Sequence, residues 1–383
     1  MTQSREPQLC IVQPWFTAPG HPAQSTINTA RILGDAVDVT YLVSQETHNG
    51  TFQPMIDRLA ALGSLETFTV PSASVRVGTI AALWHLAKMA RRGIRSRSIL
   101  FLDGHLVVLA SFWFLFSRIV KPRRLSLLYL QGPERAHRHF VVRHVTSRFL
   151  QRKEVKLFLR TDELRDAWRE RFPRVPPERI NVVPSLELPE SSAVPAPLSP
   201  SPLTRLGVIG QIRQGKSLEW LIPLFSAHPA LGILTVAGTF FDEEQRNALP
   251  VIKAYPHFRD GFLSDDELVR VASEQDYLLM LYERWDARME GATLYLAARA
   301  NRPVVVYESG WCGRIVRTYG CGVIAPSSHG AMATFFERLP RNSTPAYRAL
   351  LSGLEKFRHA HSGSAVRTIF IQQVVKTEDD NVP

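Results

Sequence analysis

The sequence predicts an α/β protein with two doubly wound domains that face each other across a cleft, and three observations support this fold class. The chain has 383 residues, more than one ordinary domain contains. Short apolar runs alternate with helical patterns along its length, as strands and helices alternate in parallel sheets. Residues 188–203, rich in proline and serine, interrupt the alternation and are predicted to be a linker.

Residues 1–187 are predicted to form the N-terminal domain. Most of its predicted strands are runs of apolar residues, which is typical of parallel strands that are buried on both faces. The predicted strands are Gln8–Gln13, Val37–Val43, Thr67–Val70, Ile99–Asp103, Leu125–Leu130 and Val155–Leu159, and the predicted helices include Ser25–Leu33, Thr79–Arg92 and Leu106–Phe116.

Residues 204–360 are predicted to form the C-terminal domain, followed by a helix, Ala365–Val375, within a tail at residues 361–383. In such sheets ligands bind at the carboxyl ends of the strands, so we expect the functional residues there. The predicted strands are Arg205–Ile209, Gly232–Ala237, Asp276–Leu281, Val304–Tyr307 and Gly322–Ile324, and helices are predicted to begin near Ser217, Asp242 and Gly291.

The net charge of +11 is concentrated in one region of the chain. Residues 88–160 contain 17 Lys and Arg against 3 Asp and Glu, and the remainder is slightly acidic. This favours an anionic partner, such as an acidic lipid or a phosphorylated substrate, although a solvated basic surface has the same composition. Nucleic acid is not expected, because the region lacks interleaved basic and aromatic residues and has no zinc or recognition-helix motif.

The most apolar stretch, Ser98–Val120, is interrupted by Asp103 and His105, which leaves Leu106–Phe116 as an unbroken run. That run is too short to cross a bilayer, which requires about 20 residues. We expect a helix there that either belongs to the core or lays one face on an anionic bilayer. Nearby cations that could meet lipid headgroups are Arg118, Lys121, Arg123 and Arg124.

The compartment predicted by the sequence is the cytoplasm, with peripheral attachment at the inner face of the cell membrane. Cys10, Cys312 and Cys321 are too few and too scattered for a disulfide framework. The N-terminus lacks the long apolar run of a secretory signal.

A phosphate-binding turn is predicted in Leu206–Leu221, LGVIGQIRQGKSLEWL. Gly210 ends a buried strand and allows close approach of the backbone, Lys216 supplies a positive charge, and a helix N-terminus with free N–H groups follows. The spacing differs from that of a Walker motif. An ordinary strand–helix turn with a solvent-exposed lysine would show the same pattern.

A second group of polar residues follows the strand at Asp276–Leu281. Glu283, Asp286 and Glu290 lie at its carboxyl end, where carboxylates can accept paired hydrogen bonds from the hydroxyls of a sugar or a ribose. The same residues could instead be solvated loop charges, with Glu290 as an acid favoured at a helix start.

In their order, these segments resemble the donor-binding half of a GT-B glycosyltransferase, and they are most similar to the family-four retaining enzymes of bacterial polysaccharide and lipid-linked sugar synthesis. In GQIRQGK, Gly210 and Lys216 keep the family spacing, with Gln211 where arginine is usual. LTVAGTF, GFLSDDEL and RPVVV match further family elements. The N-terminal half resembles the acceptor domain more weakly, through IVQPWFTAPGHPAQ and VPPERINVVPSLEL.

The chain departs from the family signature of two glutamates separated by seven residues. Glu290 fits the first position, but Ala298 stands at the second. If the motif is instead placed by its distance from the Pro-Val-Val element at Pro303, its two glutamate positions fall on Arg288 and Leu296. The second glutamate, which usually holds the ribose, is therefore absent, and Glu283 and Glu308 are its candidate replacements.

The resemblance implies a hexosyltransferase that uses a nucleotide-sugar as co-substrate, a saccharide or lipid-linked acceptor, and neither a divalent metal nor any other cofactor. It implies retention of configuration and a role in bacterial cell-surface polysaccharide or glycolipid synthesis. The open alternatives are an epimerase of the same fold and a catalytically silent nucleotide-sugar-binding protein. The altered glutamate pair points to the silent protein.

The resemblance also implies roles for individual residues. His105 and Asp103, in FLDGH, stand at a strand end where relatives place a histidine near the sugar, although His105 could equally be a buried structural histidine. The catalytic candidates are His105, Asp103 and Glu290; the donor-binding candidates are Gly210, Gln211, Arg213, Lys216, Glu283, Glu290 and Gly291; the acceptor-binding candidates are Gln131, Glu134 and Arg135.

Overall fold

A computed structural model describes residues 9–16, 22–33, 37–46, 53–71, 74–94, 96–137, 139–185, 188, 195, 199, 201–240, 243–283 and 287–375. The chain divides into two compact units, one comprising Met1–Pro189 with Gly363–Pro383 and the other Glu190–Ser362. Each unit contains one parallel sheet with helices between its strands, which confirms the prediction of two Rossmann-like α/β units. Most of the predicted linker, residues 188–203, lies outside the described residues.

The first unit is built on a seven-stranded parallel sheet with the order β3-β2-β1-β4-β5-β6-β7. Its strands are β1 (Leu9–Gln13), β2 (Val39–Glu46), β3 (Ser64–Val70), β4 (Ser98–Leu102), β5 (Arg124–Leu128), β6 (Val155–Leu159) and β7 (Ile180–Val182). Its helices are α1 (Pro22–Leu33), α2 (Gln53–Ala60), α3 (Val75–Arg91), α4 (Leu106–Val120), α5 (Glu134–His137), α6 (Phe140–Leu150) and α7 (Asp162–Arg171), with a 3-10 turn at Pro177–Arg179.

The second unit is built on a six-stranded parallel sheet with the order β10-β9-β8-β11-β12-β13. Its strands are β8 (Arg205–Ile209), β9 (Ile233–Gly238), β10 (Phe258–Asp260), β11 (Tyr277–Met280), β12 (Val304–Tyr307) and β13 (Gly322–Ala325). Its helices are α8 (Leu218–Ala227), α9 (Glu243–Ala248), α10 (Pro250–Lys253), α11 (Asp265–Ser273), α12 (Ala292–Ala300), α13 (Gly310–Tyr319), α14 (Met332–Glu337) and α15 (Pro345–Ala360), with 3-10 turns at Pro229–Leu231 and His329–Ala331.

The structure adds elements that the apolar runs do not reveal. Strands β7 and β10 lie at sheet edges, have only three residues each and carry polar side chains, as in Ile-Asn-Val and Phe-Arg-Asp. Helix α2 is mostly exposed and buries only Ile56 and Leu59. Short edge strands and exposed helices lack a long apolar pattern, so sequence periodicity does not detect them.

The C-terminal helix belongs to the core of the first unit. Helix α16 (Gly363–Phe370) continues as a π-helical turn, Ile371–Val375. Its buried residues Val366 and Phe370 join the hydrophobic cluster formed by strands β1 and β2 and helix α1. The Arg124 guanidinium in β5 donates a 3.0 Å hydrogen bond to the Gln373 carbonyl, which ties the end of the chain to the sheet.

Helix α4 is divided between core and surface, and it extends past the predicted end at Phe116 to Val120. Leu106, Leu109 and Trp113 are buried, whereas Phe114 and Leu115 are more than half exposed. In the described part of the chain, no helix combines the length and the apolar character that crossing a bilayer requires.

Replacing Phe370 with alanine should destabilise the first unit, because this side chain is 1% exposed and its loss would leave a cavity. We expect a loss of about 3 kcal/mol in unfolding free energy, measured by urea denaturation followed by circular dichroism. Phe262→Ala, at a side chain that is 67% exposed, is the control and should change stability by less than about 0.5 kcal/mol. Equal effects of the two substitutions would contradict the assignment of α16 to the core.

Candidate functional site

The predicted phosphate-binding turn follows β8 in the second unit and runs along the end of β9. Gly210 has φ of +100°, and its N–H donates to the Ala237 carbonyl at 2.9 Å. Gly238, at the end of β9, has φ of +140°, and a Cβ atom there would lie 1.9 Å from the Gly210 carbonyl oxygen. Only glycine fits this approach, which explains why the strand ends in Ala-Gly.

Lys216 lies in this turn and is buried, with 7% of its surface exposed. Burial lowers the pKa of its ammonium group to about 7, and the positive charge of Arg213 acts in the same direction. Among the described residues, no carboxylate pairs with Lys216. An unpaired buried cation is unfavourable, so an anion that reached it would relieve the cost of burial.

Arg213 and Gln211 lie in the same turn and are partly buried. Burial lowers the pKa of the Arg213 guanidinium, while the nearby Tyr282 hydroxyl favours its charged form. Two cations therefore share a poorly solvated site, which is the charge distribution that a diphosphate would balance.

Ser217 connects the turn to helix α8 in an unusual conformation. It has φ of +59°, in the left-handed region, and its side chain does not cap the helix. Its hydroxyl lies instead 2.7 Å from the Leu281 carbonyl and 2.9 Å from Glu283 Oε1. The first N–H groups of α8 consequently lack a side-chain cap at the end of the helix that attracts anions.

Glu283, a predicted donor-binding residue, holds this turn in place. Its backbone N–H donates to the Gly215 carbonyl, and its Oε1 accepts a 2.7 Å hydrogen bond from the Trp220 indole. His329 Nε2 lies 3.0 Å from the same oxygen. Burial raises the pKa of Glu283, but the hydrogen bonds from Trp220, Ser217 and His329 outweigh it and keep the pKa below its usual value.

These contacts make Glu283 a positioning residue for Ser217 and therefore for the adjacent Lys216. Ser217, Trp220 and His329 are members of the site that the sequence motifs do not predict. The Trp220 and His329 rings stack 4.5 Å apart, although more than 100 residues separate them along the chain. No local motif signals a contact of this range.

Glu290 and Gly291 stand immediately before helix α12, as the resemblance predicts. The Tyr295 hydroxyl donates to Glu290 Oε1 and also lies 3.5 Å from His361 Nδ1. Burial, with a smaller effect of Arg314, lowers the pKa of His361 to about 4, so this histidine is neutral at pH 7. A Cβ atom at Gly291 would lie 2.5 Å from Met280 Cε, so a larger residue there would require the end of the Met280 side chain to move.

The structure gives a physical reason for the altered glutamate signature. Ala298 is fully buried, so a carboxylate could not be placed there without entering the core. Leu296 is partly exposed, and α12 carries no acidic residue. Glu308 is exposed and forms a 3.2 Å ion pair with Arg317.

The catalytic candidates of the first unit follow strand β4. Asp103 has φ of +54°, in the left-handed region. Burial raises the pKa of its carboxyl group to about 6, although the positive charge of Arg160 acts to lower it. His105 caps helix α4, because its Nδ1 accepts the Val108 N–H at 3.3 Å. Its own N–H donates to Thr79 Oγ1 at 2.9 Å. His105 therefore has a structural role, and in the neutral ring the proton is on Nε2.

The acceptor candidates follow strand β5. Gln131 is exposed, and its carbonyl accepts a 3.0 Å hydrogen bond from the Trp168 indole. Glu134 begins the short helix α5 and is exposed. The side chain of Arg135 and the whole of Asp286 lie outside the described residues.

Gln13 is a further polar residue at the same sheet edge, and no sequence motif predicts it as part of a site. It is fully buried at the end of β1, beside β4. Its Nε2 has no hydrogen-bond partner among the described residues. The only signal in the sequence is an amide side chain that ends an apolar strand.

A small pocket of about 30 Å³ opens at the carboxyl ends of β11 and β12, near the cationic turn. It is lined by Met280, Tyr282, Ala287, Met289, Tyr307, Ser309 and Cys312. Within the ranges that the structure describes, no three His, Cys, Asp or Glu side chains are grouped to hold a metal ion.

Solved structures resemble this chain over nearly its whole length, although no protein-family model and no curated protein sequence matches it. HepE from Anabaena, in complex with UDP-glucose, is 13% identical with a TM-score of 0.67, over 95% of this chain and 98% of HepE. WaaG, a glycosyltransferase involved in lipopolysaccharide biosynthesis, is 12% identical with a TM-score of 0.61, over 96% and 100% of the two chains.

A mutant of TarM from S. aureus, in complex with fondaparinux, alpha-GlcNAc-glycerol and UDP, is 10% identical with a TM-score of 0.65, over 96% of this chain and 100% of TarM. The similarity therefore extends across proteins that share very few residues with this chain. It shows that this chain has the GT-B fold, as its motifs predict.

Proposed function

We propose that this protein is a glycosyltransferase that moves a hexose from a nucleotide-sugar to a saccharide or lipid-linked acceptor. The proposal rests on the environment of Lys216. This lysine is buried, no described carboxylate pairs with it, and it lies beside Arg213 and the start of α8, which has no side-chain cap. These groups match a diphosphate in charge and in hydrogen-bonding capacity. HepE has been crystallised with UDP-glucose, with UDP, and with UDP and glucose, which supports a nucleotide-sugar donor here.

In the proposed reaction, the diphosphate of the donor binds Lys216, Arg213 and the backbone of the turn from Gly210 to Gln211. As the glycosidic bond breaks, negative charge grows on the leaving phosphate. Fixed cations and helix N–H groups stabilise that charge without reorganising, and this effect is often the largest in catalysis. Because the protein itself supplies these cations, we propose that transfer needs no divalent metal or other cofactor.

The roles of the carboxylates complete the proposal. Glu290 accepts hydrogen bonds from hydroxyls of the hexose, next to the Tyr295 hydroxyl that orients it. Asp103, whose pKa is raised to about 6 by burial, can take up or release a proton near neutral pH. His105 donates from Nε2 to the acceptor, while Gln131, Glu134 and Arg135 orient it. We propose retention of configuration, with attack from the side of the leaving group.

We place the reaction in the synthesis of bacterial cell-surface polysaccharides or glycolipids, at the cytoplasmic face of the membrane. The similarity of fold to WaaG, a glycosyltransferase involved in lipopolysaccharide biosynthesis, supports this setting.

The proposal is tested by a thermal-shift screen of nucleoside diphosphates and their hexose conjugates in the presence of EDTA, followed by assays of sugar transfer. A ligand that binds only the folded protein raises its melting temperature. We expect stabilisation by at least one nucleotide-sugar and transfer of its hexose without added metal. Binding without transfer or hydrolysis would instead indicate a silent binding protein, and no binding at all would contradict both.

Replacing Lys216 with methionine should stabilise the unliganded protein, because it removes a buried charge and keeps the aliphatic chain. We expect a gain of about 2 kcal/mol at neutral pH together with loss of stabilisation by nucleoside diphosphates. The ordinary lysine pKa is 10.5, so between about pH 7 and pH 10.5 the unfolded chain binds more protons at this lysine than the folded protein does. The stability of the wild type therefore rises with pH over this range. The gain should therefore be largest at and below pH 7 and shrink as the pH approaches 10.5.

Urea denaturation of both proteins across this pH range measures the gain. Lys253→Met, at an exposed lysine of the same unit, is the matched control and should have little effect. A methionine variant that is less stable than the wild type at neutral pH, or that still binds nucleoside diphosphates with full affinity, would be inconsistent with this role.

Binding of UDP should require uptake of a proton by Lys216, since its pKa in the free protein is about 7. Above that pH the site must be protonated before it pairs with the diphosphate, so the affinity should fall by up to about tenfold per pH unit. Isothermal titration calorimetry in buffers of different ionisation enthalpy measures both the affinity and the proton uptake.

Lys216→Arg is the control, because arginine remains charged throughout this range. It should bind UDP with an affinity that is nearly independent of pH. Identical pH profiles for the wild type and Lys216→Arg would argue against titration of Lys216.

A further inference from the structure

Helices α3, α4 and α6 form a continuous layer on one face of the first unit's sheet. Helix α4 packs against α3 on one side and against α6 on the other. The Trp84 ring of α3 meets the Phe116 ring of α4 edge to face, with centroids 5.9 Å apart. None of the three helices contains an aspartate or a glutamate. We call the outward surface of this layer the helical face.

Large apolar side chains project from the helical face into solvent. The exposed members are Trp84 at 55%, Phe112 at 40%, Phe114 at 55%, Leu115 at 58%, Phe140 at 77% and Val141 at 54%. They come from all three neighbouring helices. Single exposed apolar residues are ordinary, but a group of them on adjacent helices marks a surface that has a partner.

Exposed cations lie on the same three helices and in the turns that follow α3 and α4. The Arg118 guanidinium lies 4.5 Å from the centre of the Phe114 ring. The turns that lead from α3 to β4 and from α4 to β5 lie at the amino edge of the sheet and carry exposed arginines and a lysine. On these helices and turns, the exposed cations that form no ion pair with a described residue include Lys88, Arg91, Arg92, Arg97, Arg118, Lys121, Arg123 and Arg148.

We infer that the helical face docks on an anionic lipid bilayer. Aromatic and aliphatic side chains that project from a helix can enter the boundary between headgroups and acyl chains, while the exposed cations meet lipid phosphates. The absence of acidic residues from all three helices removes the repulsion that an anionic surface would otherwise meet. The exposed apolar side chains match the acyl region of a bilayer, and the cations without an ion pair match its anionic headgroups. This complementarity identifies an anionic bilayer as the partner.

Two other occupants fit these observations less well. A second copy of the chain would bring two faces of the same positive charge together, which is unfavourable. Single-stranded nucleic acid could stack its bases on the exposed rings of this face, but it would leave the aliphatic side chains Leu115 and Val141 without an apolar environment.

Docking in this way has a consequence that rests on the proposed function. Helix α4 begins immediately after His105, an acceptor-side candidate, and Phe112 and Leu115 lie about 10–15 Å farther along its axis. A docked helical face would therefore hold the strand ends that carry Asp103 and His105 close to the headgroup layer, where the reactive end of a lipid-linked acceptor is found. Docking itself does not depend on the transfer reaction.

The inference is tested by co-sedimentation of the full chain with vesicles of phosphatidylcholine alone and of phosphatidylcholine mixed equally with phosphatidylglycerol. We expect binding to the anionic vesicles, on the order of tenfold weaker binding to neutral ones, and release by high salt. The double variant Phe114→Ser with Leu115→Ser and the double variant Lys88→Glu with Arg118→Glu should each lower binding by on the order of tenfold.

Phe262→Ser is the matched control, because this phenylalanine is 67% exposed but belongs to the second unit. It should bind anionic vesicles as the wild type does. Vesicle binding that is absent, insensitive to lipid charge, or unchanged in both double variants would overturn the inference. The inference would also be overturned if the wild type did not bind vesicles and instead formed an oligomer, detected by light scattering, that the double variants dissociate.

Thermal shifts with nucleoside diphosphates, measured on the same variants, separate this inference from the proposed function. We expect each double variant to keep the wild-type shift, because the helical face lies in the first unit and the cationic turn in the second. Vesicle binding without any nucleotide shift would support docking and contradict the proposed function. The reverse result would contradict docking alone.

Discussion

The burial of one positive charge is the constraint on which the second unit's site depends. Lys216 is withdrawn from water into a turn where the positive charge of Arg213 also disfavours its charged form. Such an arrangement weakens the folded protein, and close packing alone does not explain it. It becomes favourable when an anion with several oxygens occupies the turn, because the ligand then pairs with Lys216 and reaches the N–H groups of α8.

Several interactions hold this turn in a conformation that the isolated segment would not prefer. Gly238 allows the end of β9 to approach Gly210 closely. Ser217 has a positive φ, and its hydroxyl is held by a hydrogen bond to the Leu281 carbonyl, just after β11. Glu283 contributes through a carboxylate that hydrogen bonds keep ionised. A site assembled before the ligand arrives binds and stabilises charge without reorganising, which is the advantage of building it on strand ends.

The sequence predicted the parts of the molecule that local patterns determine. Buried strands such as β6 and β8 were found at their observed limits because parallel strands are unbroken apolar runs. The positions of Gly210, Lys216 and Glu290 at strand and helix ends followed from the motifs. The contacts of Glu283 with Trp220 and His329, and the packing of α16 on the first unit, join distant parts of the chain and leave no local signal. The exposed side of α4 was also undetermined, because an almost wholly apolar helix does not show which face is buried.

The titration of Lys216 tests the central claim most directly. The ¹³Cε resonance of this lysine, assigned by its disappearance in Lys216→Arg, reports the protonation of the ammonium group as the pH is raised. We expect a midpoint near pH 7 in the free protein and a shift towards the ordinary lysine value of 10.5 when UDP is bound. A midpoint near 10.5 without ligand, or one that UDP leaves unchanged, would contradict that claim.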